Sequence, residues 1–494
     1  MSQPPREGPW LGQVQTPPPE PRRRIPVVAL AVAALLVVAV AIGALLMNNP
    51  GPPPSPAPTA IAGSPPAATA TPALATPRAT PARPTPSAGP TASPATPDPG
   101  QSPTIGRRPP PEIASQIDEV VEQVPLIRDL QPLRDVPYVL LSREEFQSEL
   151  EAMLEDEVDL SELDIEGRLL QRLGMLPDDT DLYELMLQLY GSQVAAYYRP
   201  DTGTFYIIER DEPFAAVDRM IVAHEYTHAL QDQHFDLEGS RISDPSEGDA
   251  ALAQLAAIEG DATLLMFQWA LEALTMREQL ELFAGLVPSP TDQEILENMP
   301  PVLRRQLEFP YNDGFIFSTE VQRRGGWSAI DDTLAEPPAS TEQILHPEKY
   351  FAGEQPVMVF VPDPLPALGD EWQDIYQQTM GELNLQIWLA DGESPPMVIP
   401  GIEIEPVPWQ AAAAGWGGDR LHMYENEDGG WAIVWLTAWD SVADAEEFEA
   451  AAQPLLAGLD GPADLSEGPE GELYRLLLVA SDEDTLRALR SGLR

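Results

Sequence analysis

The sequence predicts two α+β units held behind a single membrane span and a long disordered linker. Three observations carry this: an uncharged apolar run at residues 25–47, a Pro/Ala/Thr/Ser tract at residues 48–111, and strand patterns interleaved with helical ones from there on. The strands and helices divide into a unit at residues 112–354 and a smaller one at residues 355–494, where the pattern changes register.

The first 24 residues form a tail ending in Arg22-Arg23-Arg24. The 23 uncharged residues that follow, at about 1.5 Å each in a helix, cover a hydrocarbon core of about 30 Å. Positive charge stays cytoplasmic, so the arginines place the chain's start inside and everything after the span outside. A cleaved signal peptide ending at Ala39-Val40-Ala41 is the rival reading, but its apolar core is typically shorter. Residues 48–111 offer almost nothing large and apolar to set against the entropy of ordering, which predicts a disordered or polyproline linker.

Seventy-nine acids against 28 Lys and Arg leave a net charge of −51, which excludes nucleic acid as a partner and fits neutral or cationic polypeptides. With no cysteine, neither a disulfide nor a lipoprotein anchor is open to the chain. Nothing in the sequence specifies an oligomeric state.

In the first unit, Val136-Pro137-Tyr138-Val139-Leu140-Leu141 reads as a strand, and Ser142-Arg143-Glu144-Glu145 as a capping box opening a helix. A helix is expected at residues 181–189. The β-branched and aromatic runs at residues 194–198 and 204–208, on either side of Pro200-Asp201-Thr202-Gly203, predict a hairpin.

Next comes His224-Glu225-Tyr226-Thr227-His228, set in a helical pattern of Val217, Met220, Ile221, Ala229 and Leu230. Residues at i and i+4 lie about 40° apart around a helix, so both imidazoles can face one ion. This pattern predicts zinc (Zn2+) on His224 and His228, with Glu225 as the base for an attacking water. A third ligand must be His, Asp or Glu. Glu247 and Glu259 compete, in Glu247-Gly248-Asp249-Ala250 and Glu259-Gly260-Asp261-Ala262. Glu247 follows Ser243-Asp244-Pro245-Ser246, where capping and the helix dipole explain an acid. Glu259 sits in an apolar helix where an unpaired carboxylate is costly, and is preferred. Asp261 or Asp232 could orient a ligand histidine from behind.

The run from Ala223 through His228 to Leu237, followed by Ile258-Glu259-Gly260-Asp261-Ala262-Thr263, resembles the gluzincin metallopeptidases, in particular membrane-anchored prokaryotic proteins with a compact peptidase domain. The resemblance implies a zincin-like fold for the first unit, with zinc on His224, His228 and Glu259. Glu247, 19 positions after His228, has the spacing familiar from thermolysin-like zincins. The hairpin resembles the edge strand on which zincins lay an extended peptide. Tyr311-Asn312-Asp313-Gly314 resembles the family's Tyr-x-x-Gly helix start. Amide hydrolysis develops charge on the carbonyl oxygen, so a phenol or imidazole aimed there helps. His346 and Tyr350, beside Lys349, the chain's single lysine, are the candidates, with Tyr311 behind them. His234, about 240° around the helix from His228, and His422, in a strand pattern, lie outside the metal face.

In the second unit, residues 357–361 and 383–389 suggest strands or mixed elements. Residues 421–424, 431–437 and 472–479 read as strands, and 441–459 as a helix. The expectation is a membrane-anchored, extracytoplasmic zinc metalloendopeptidase with an accessory domain. The alternative is an inactive zincin-fold protein serving as a cell-surface binding module.

Overall fold

The computed structural model describes residues 105–157, 159–210, 213–237, 247–285, 299–395 and 405–493. The expected membrane span and the linker up to residue 104 lie outside the described residues. The end of the expected linker, by contrast, is part of the fold. Arg107 exchanges main-chain bonds of 2.9 and 2.8 Å with Leu140, and α1 (Pro111–Arg128) opens on the prolines that suggested a linker. Proline in the first turn forfeits only an N–H that has no partner there anyway.

As expected, the chain mixes α and β. Strand β1 (Tyr138–Leu141) leads into α2 (Arg143–Glu157), and the Ser142–Glu145 capping box forms as anticipated. Helices α3 (Leu160–Arg172) and α4 (Leu182–Gln193) follow, then the hairpin of β2 (Ala196–Arg199) and β3 (Thr204–Ile208). The three strands form one sheet in the order β1-β3-β2, with β1 parallel and β2 antiparallel to β3. Gly203 supplies the positive φ that the hairpin turn requires.

Helix α5 (Ala216–Phe235) carries the histidine motif and packs against α6 (Gly248–Ala273), both almost wholly buried along their middles. By length and composition α6 is apolar enough to cross a membrane, but most of it is core. After α7 (Met276–Gly285) the long α8 (Pro301–Gly325) crosses α6 at glycines on both helices. A Cβ on Gly260 would lie 2.1 Å from Gly314 O, and one on Gly314 would lie 2.2 Å from Ala256 O. Only hydrogens permit so close a backbone approach. Helices α9 (Trp327–Ala335), α10 (Thr341–Leu345) and α11 (Pro347–Ala352) complete this part.

Beyond the short α12 (Leu365–Leu368), a five-stranded antiparallel sheet runs in the order β4-β5-β6-β8-β7. Its strands are β4 (Trp372–Gln378), β5 (Trp416–Asn426), β6 (Trp431–Trp439), β7 (Ala463–Gly468) and β8 (Gly471–Ala480). Helices α13 (Gly381–Leu389), α14 (Pro408–Ala413) and α15 (Val442–Ala452) cover one face, and α12 and α16 (Glu483–Gly492) the other. With both faces covered, β6 is buried at all nine positions, so alternation could not announce it. Two expectations fail here. Residues 383–389 are helix α13, whose start is held by Asp419 accepting from Met380 N and Gly381 N. Residues 357–361 are an extended strap outside the sheet, tied by Val357 N to Gly417 O at 2.7 Å. Of the helix expected at 441–459, only Val442–Ala452 is α-helical; Pro454 leads into a 3₁₀ segment, Gln453–Gly458.

Candidate metal centre

One turn of α5 separates His224 from His228, and both rings point Nε2 toward Glu259 of α6. His224 Nε2 and His228 Nε2 lie 3.0 Å apart, and Glu259 Oε2 is 3.1 Å from the first and 3.4 Å from the second. Donors on a tetrahedral zinc with bonds of 2.0–2.1 Å are separated by about 3.3 Å, so this triangle has the size of one tetrahedral face. Among the described residues this is one of two groups of three ligand atoms within 4.8 Å of one another. The other, Glu342, Glu354 and Asp440, closes on the ammonium of Lys349 at 2.5 to 3.0 Å and needs no metal.

His224, His228 and Glu259 are 0% exposed and Glu225 1%. Glu259 Oε1 and His224 Nδ1 find no hydrogen-bond partner among the described residues, and the Glu225 carboxyl meets no side-chain donor, only the main chain of Tyr198 on β2. Carboxylate oxygens buried at one place without side-chain donors are costly, and a cation with its water is a group that would satisfy those of Glu225 and Glu259. Burial pushes the Glu225 carboxyl up to about 8, and it pushes His224 down. Burial would raise Glu259 too, but the charge of His228 and the bond from His224 outweigh it and hold that carboxyl below its ordinary range. A divalent cation would favour the carboxylates further.

The side chains behind the ligands are as ordered. His228 Nδ1 meets Gln231 Oε1 at 2.8 Å, and Gln231 Nε2 donates to Ile258 O at 3.0 Å and to Asp261 Oδ2 at 2.8 Å. Asp261 accepts from Arg128 Nε at 2.8 Å, and Arg128 also reaches Asp331 at 2.7 Å. On the other side the Tyr311 ring stacks on His224, centroids 6.2 Å apart and planes 27° from parallel. Tyr311 stands within α8 rather than at its start, one turn before Gly314, so the glycine crossing brings it there.

Several expected residues sit elsewhere. Glu247 is exposed at the N-cap position of α6, outside the ligand trio, and makes no side-chain cap bond. Asp232 accepts from the Tyr198 hydroxyl at 2.8 Å and from Arg134 at 3.1 Å, not from a ligand histidine. His346 Nε2 pairs with Glu382 Oε1 at 3.0 Å, and Tyr350 donates to Glu336 O at 3.0 Å. Both are thus committed to other partners, and the ring beside the ligands belongs to Tyr311. His234 meets Gln131 O at 2.8 Å at the end of α5, and His422 on β5 meets Asp374 at 2.8 Å, both off the metal face as expected. Gln231 and Arg128 were missed. Gln231 follows His228 by three positions on the same helix face, a signal passed over because it opens a polar run; for Arg128 no local signal exists.

A family model described as a domain of unknown function, DUF8575, matches residues 370–491, the region of the second sheet. No curated protein and no solved structure matches the chain.

Proposed function

We propose that the chain is a zinc metalloendopeptidase of gluzincin type, anchored by residues 25–47 with its folded part outside the membrane. The observation that carries the reading is the convergence of His224, His228 and Glu259 on one point, with the buried Glu225 carboxyl beside it and no side-chain donor on either of its oxygens. His224, His228 and Glu259 hold the metal. Bound zinc supplies Lewis acidity, lowering the pKa of a water toward neutral and polarising a carbonyl. Glu225 takes the proton of the attacking water and carries it to the departing amine. Tyr311 restrains the His224 ring and replaces His346 and Tyr350 as the phenol to test for support of the oxyanion.

A polypeptide substrate is supported by the hairpin. Ile208 N bonds to Ala195 O, so by the antiparallel alternation Ala196 and Tyr198 direct their main-chain groups away from β3, toward the outer edge of β2. The span at residues 25–47 and Arg22-Arg23-Arg24 support the topology. The matched domain at the carboxyl end serves as an accessory unit in this reading.

The complete burial of the four site residues favours a second reading, a closed structural zinc site in a protein that binds rather than cuts. Zinc analysis and casein cleavage on the full chain and on Glu225→Gln and His228→Ala separate the two. A peptidase loses turnover but keeps zinc in Glu225→Gln, and loses both in His228→Ala. Zinc present with no cleavage by the unsubstituted protein leaves the structural reading, and cleavage surviving in Glu225→Gln removes the proposed base.

A further inference from the structure

His228 offers Nε2 to a cation only when its other nitrogen carries the proton. Nδ1 faces Gln231 Oε1, and the orientation of that amide is determined by what lies behind it. Gln231 Nε2 is within hydrogen-bond distance of two acceptors, Ile258 O and Asp261 Oδ2. Turned end for end, the amide would set its oxygen against both and present N–H groups to the ring. The polarity of Gln231 is therefore set by Ile258 O, which can only accept, together with the shorter bond to Asp261. Arg128, bonded to Asp261 Oδ1 at 2.8 Å, holds that side chain against Gln231.

All three side chains are 0% exposed, and the Arg128 guanidinium lies 4.7 Å over the Trp327 ring. Burying an ion pair is costly, and an apolar pair of similar size often serves stability as well. A neutral Asn at 261 could turn its N–H₂ toward Gln231 and reverse the amide, which a carboxylate cannot do. That difference supplies a reason for a buried charge in this place.

We propose that Arg128, Asp261 and Gln231 are positioning residues that hold His228 in the Nδ1–H form, its Nε2 lone pair turned toward His224 and Glu259. This rests on the reading of the trio as a zinc site. The relay starts on α1, crosses α6 and ends on α5, so the helix that follows the linker sets the state of a metal ligand without touching the metal.

The test uses the full chain and zinc alone. Zinc affinity is measured by competition with a chromophoric chelator for the unsubstituted protein, Gln231→Leu, Asp261→Asn and Asp232→Asn. The zinc-loaded, histidine-¹⁵N-labelled protein is examined by NMR, with five histidines to assign. Gln231→Leu and Asp261→Asn are expected to weaken zinc about 10- to 100-fold. Asp232→Asn, whose carboxylate serves Tyr198 and Arg134, is expected to bind as the unsubstituted protein does. The spectrum is expected to show zinc on His228 Nε2 and an exchange-protected proton on Nδ1. Equal affinity in Gln231→Leu and Asp261→Asn, or zinc on Nδ1, overturns the relay and leaves the metal site standing. The spectrum needs no variant, so misfolding cannot shield the proposal. Failure of the unsubstituted protein to bind zinc removes the metal reading, and the relay with it.

Discussion

Gly260→Ala is the substitution that most directly probes how the site is built. A Cβ there meets Gly314 O at 2.1 Å, Gly314 C at 2.4 Å and Ser318 Oγ at 2.6 Å, where ordinary contact begins at 3.4 Å. The obstacle is backbone, so α6 and α8 must separate by about 1.3 Å, the difference between 3.4 and 2.1 Å. Overpacking of this kind costs about 1–3 kcal/mol, and a gap of that size also forfeits a quarter to a half or more of the dispersion attraction across the interface. Alanine's better helix propensity returns about 1 kcal/mol. The net expectation, with the forfeited dispersion added, is a loss of about 1–2 kcal/mol, or roughly 2–8 °C in melting temperature for a unit of this size. Gly167→Ala is the control, because a Cβ on this helical glycine in α3 meets only the Leu182 side chain, at 3.5 Å from Cδ1 and 3.7 Å from Cγ. It should stabilise by about 0.5–1 kcal/mol. Scanning fluorimetry with guanidinium titration reads both. Gly260 precedes Asp261 and follows Glu259, so zinc affinity should fall as well. A Gly260→Ala protein that melts at or above the unsubstituted one would refute the close crossing, and with it the account of how Tyr311 reaches His224.

Two further outcomes follow from the same structure. Burial pushes the Asp249 carboxyl up to about 7, with Asp419 and Glu382 adding to the effect against the bonds from Thr341. The folded chain therefore keeps a proton that the unfolded chain releases above about pH 4, so stability is full below that pH and falls as pH rises toward 7. Asp249→Asn, whose oxygen can still accept from Thr341, should exceed the unsubstituted protein in denaturant midpoint at pH 8 and match it at pH 4; a less stable variant at pH 8 would show that the ionised carboxylate contributes. Zinc at a thousandfold excess over its dissociation constant should add about 4 kcal/mol to the unsubstituted protein and nothing to His228→Ala. An equal melting shift in both proteins would place the bound ion elsewhere.

Much of the fold was readable where the physics is local. The capping box at Ser142, the turn at Gly203 and the β-branched and aromatic strands around it depend on residues a few positions apart, and all three form. The reading failed where a segment's environment comes from afar. Residues 383–389 alternate like a strand, but the helix they form is buried on all sides and anchored at its start by Asp419, more than thirty positions along the chain. The prolines at 109–111 look the same in a linker as in the first turn of a helix, and only the packing of α1 against α5 and α6 distinguishes the two.

The candidate site divides along the same line. His224, Glu225 and His228 declare themselves by spacing on one helix, and Glu259 by the cost of an acid in an apolar run. The choice between Asp232 and Asp261 as the acid behind a ligand could not be made that way, because it depends on how α6 is rotated and how near it lies to α5 and α8. Gly260 and Gly314 set that distance, and at that distance Asp261 comes against Gln231 while Asp232 faces Tyr198 and Arg134. The same crossing puts the ring of Tyr311, rather than His346 or Tyr350, beside His224. A ligand set can thus be written by periodicity alone, whereas the groups that orient it are selected by the closest approach of two helices.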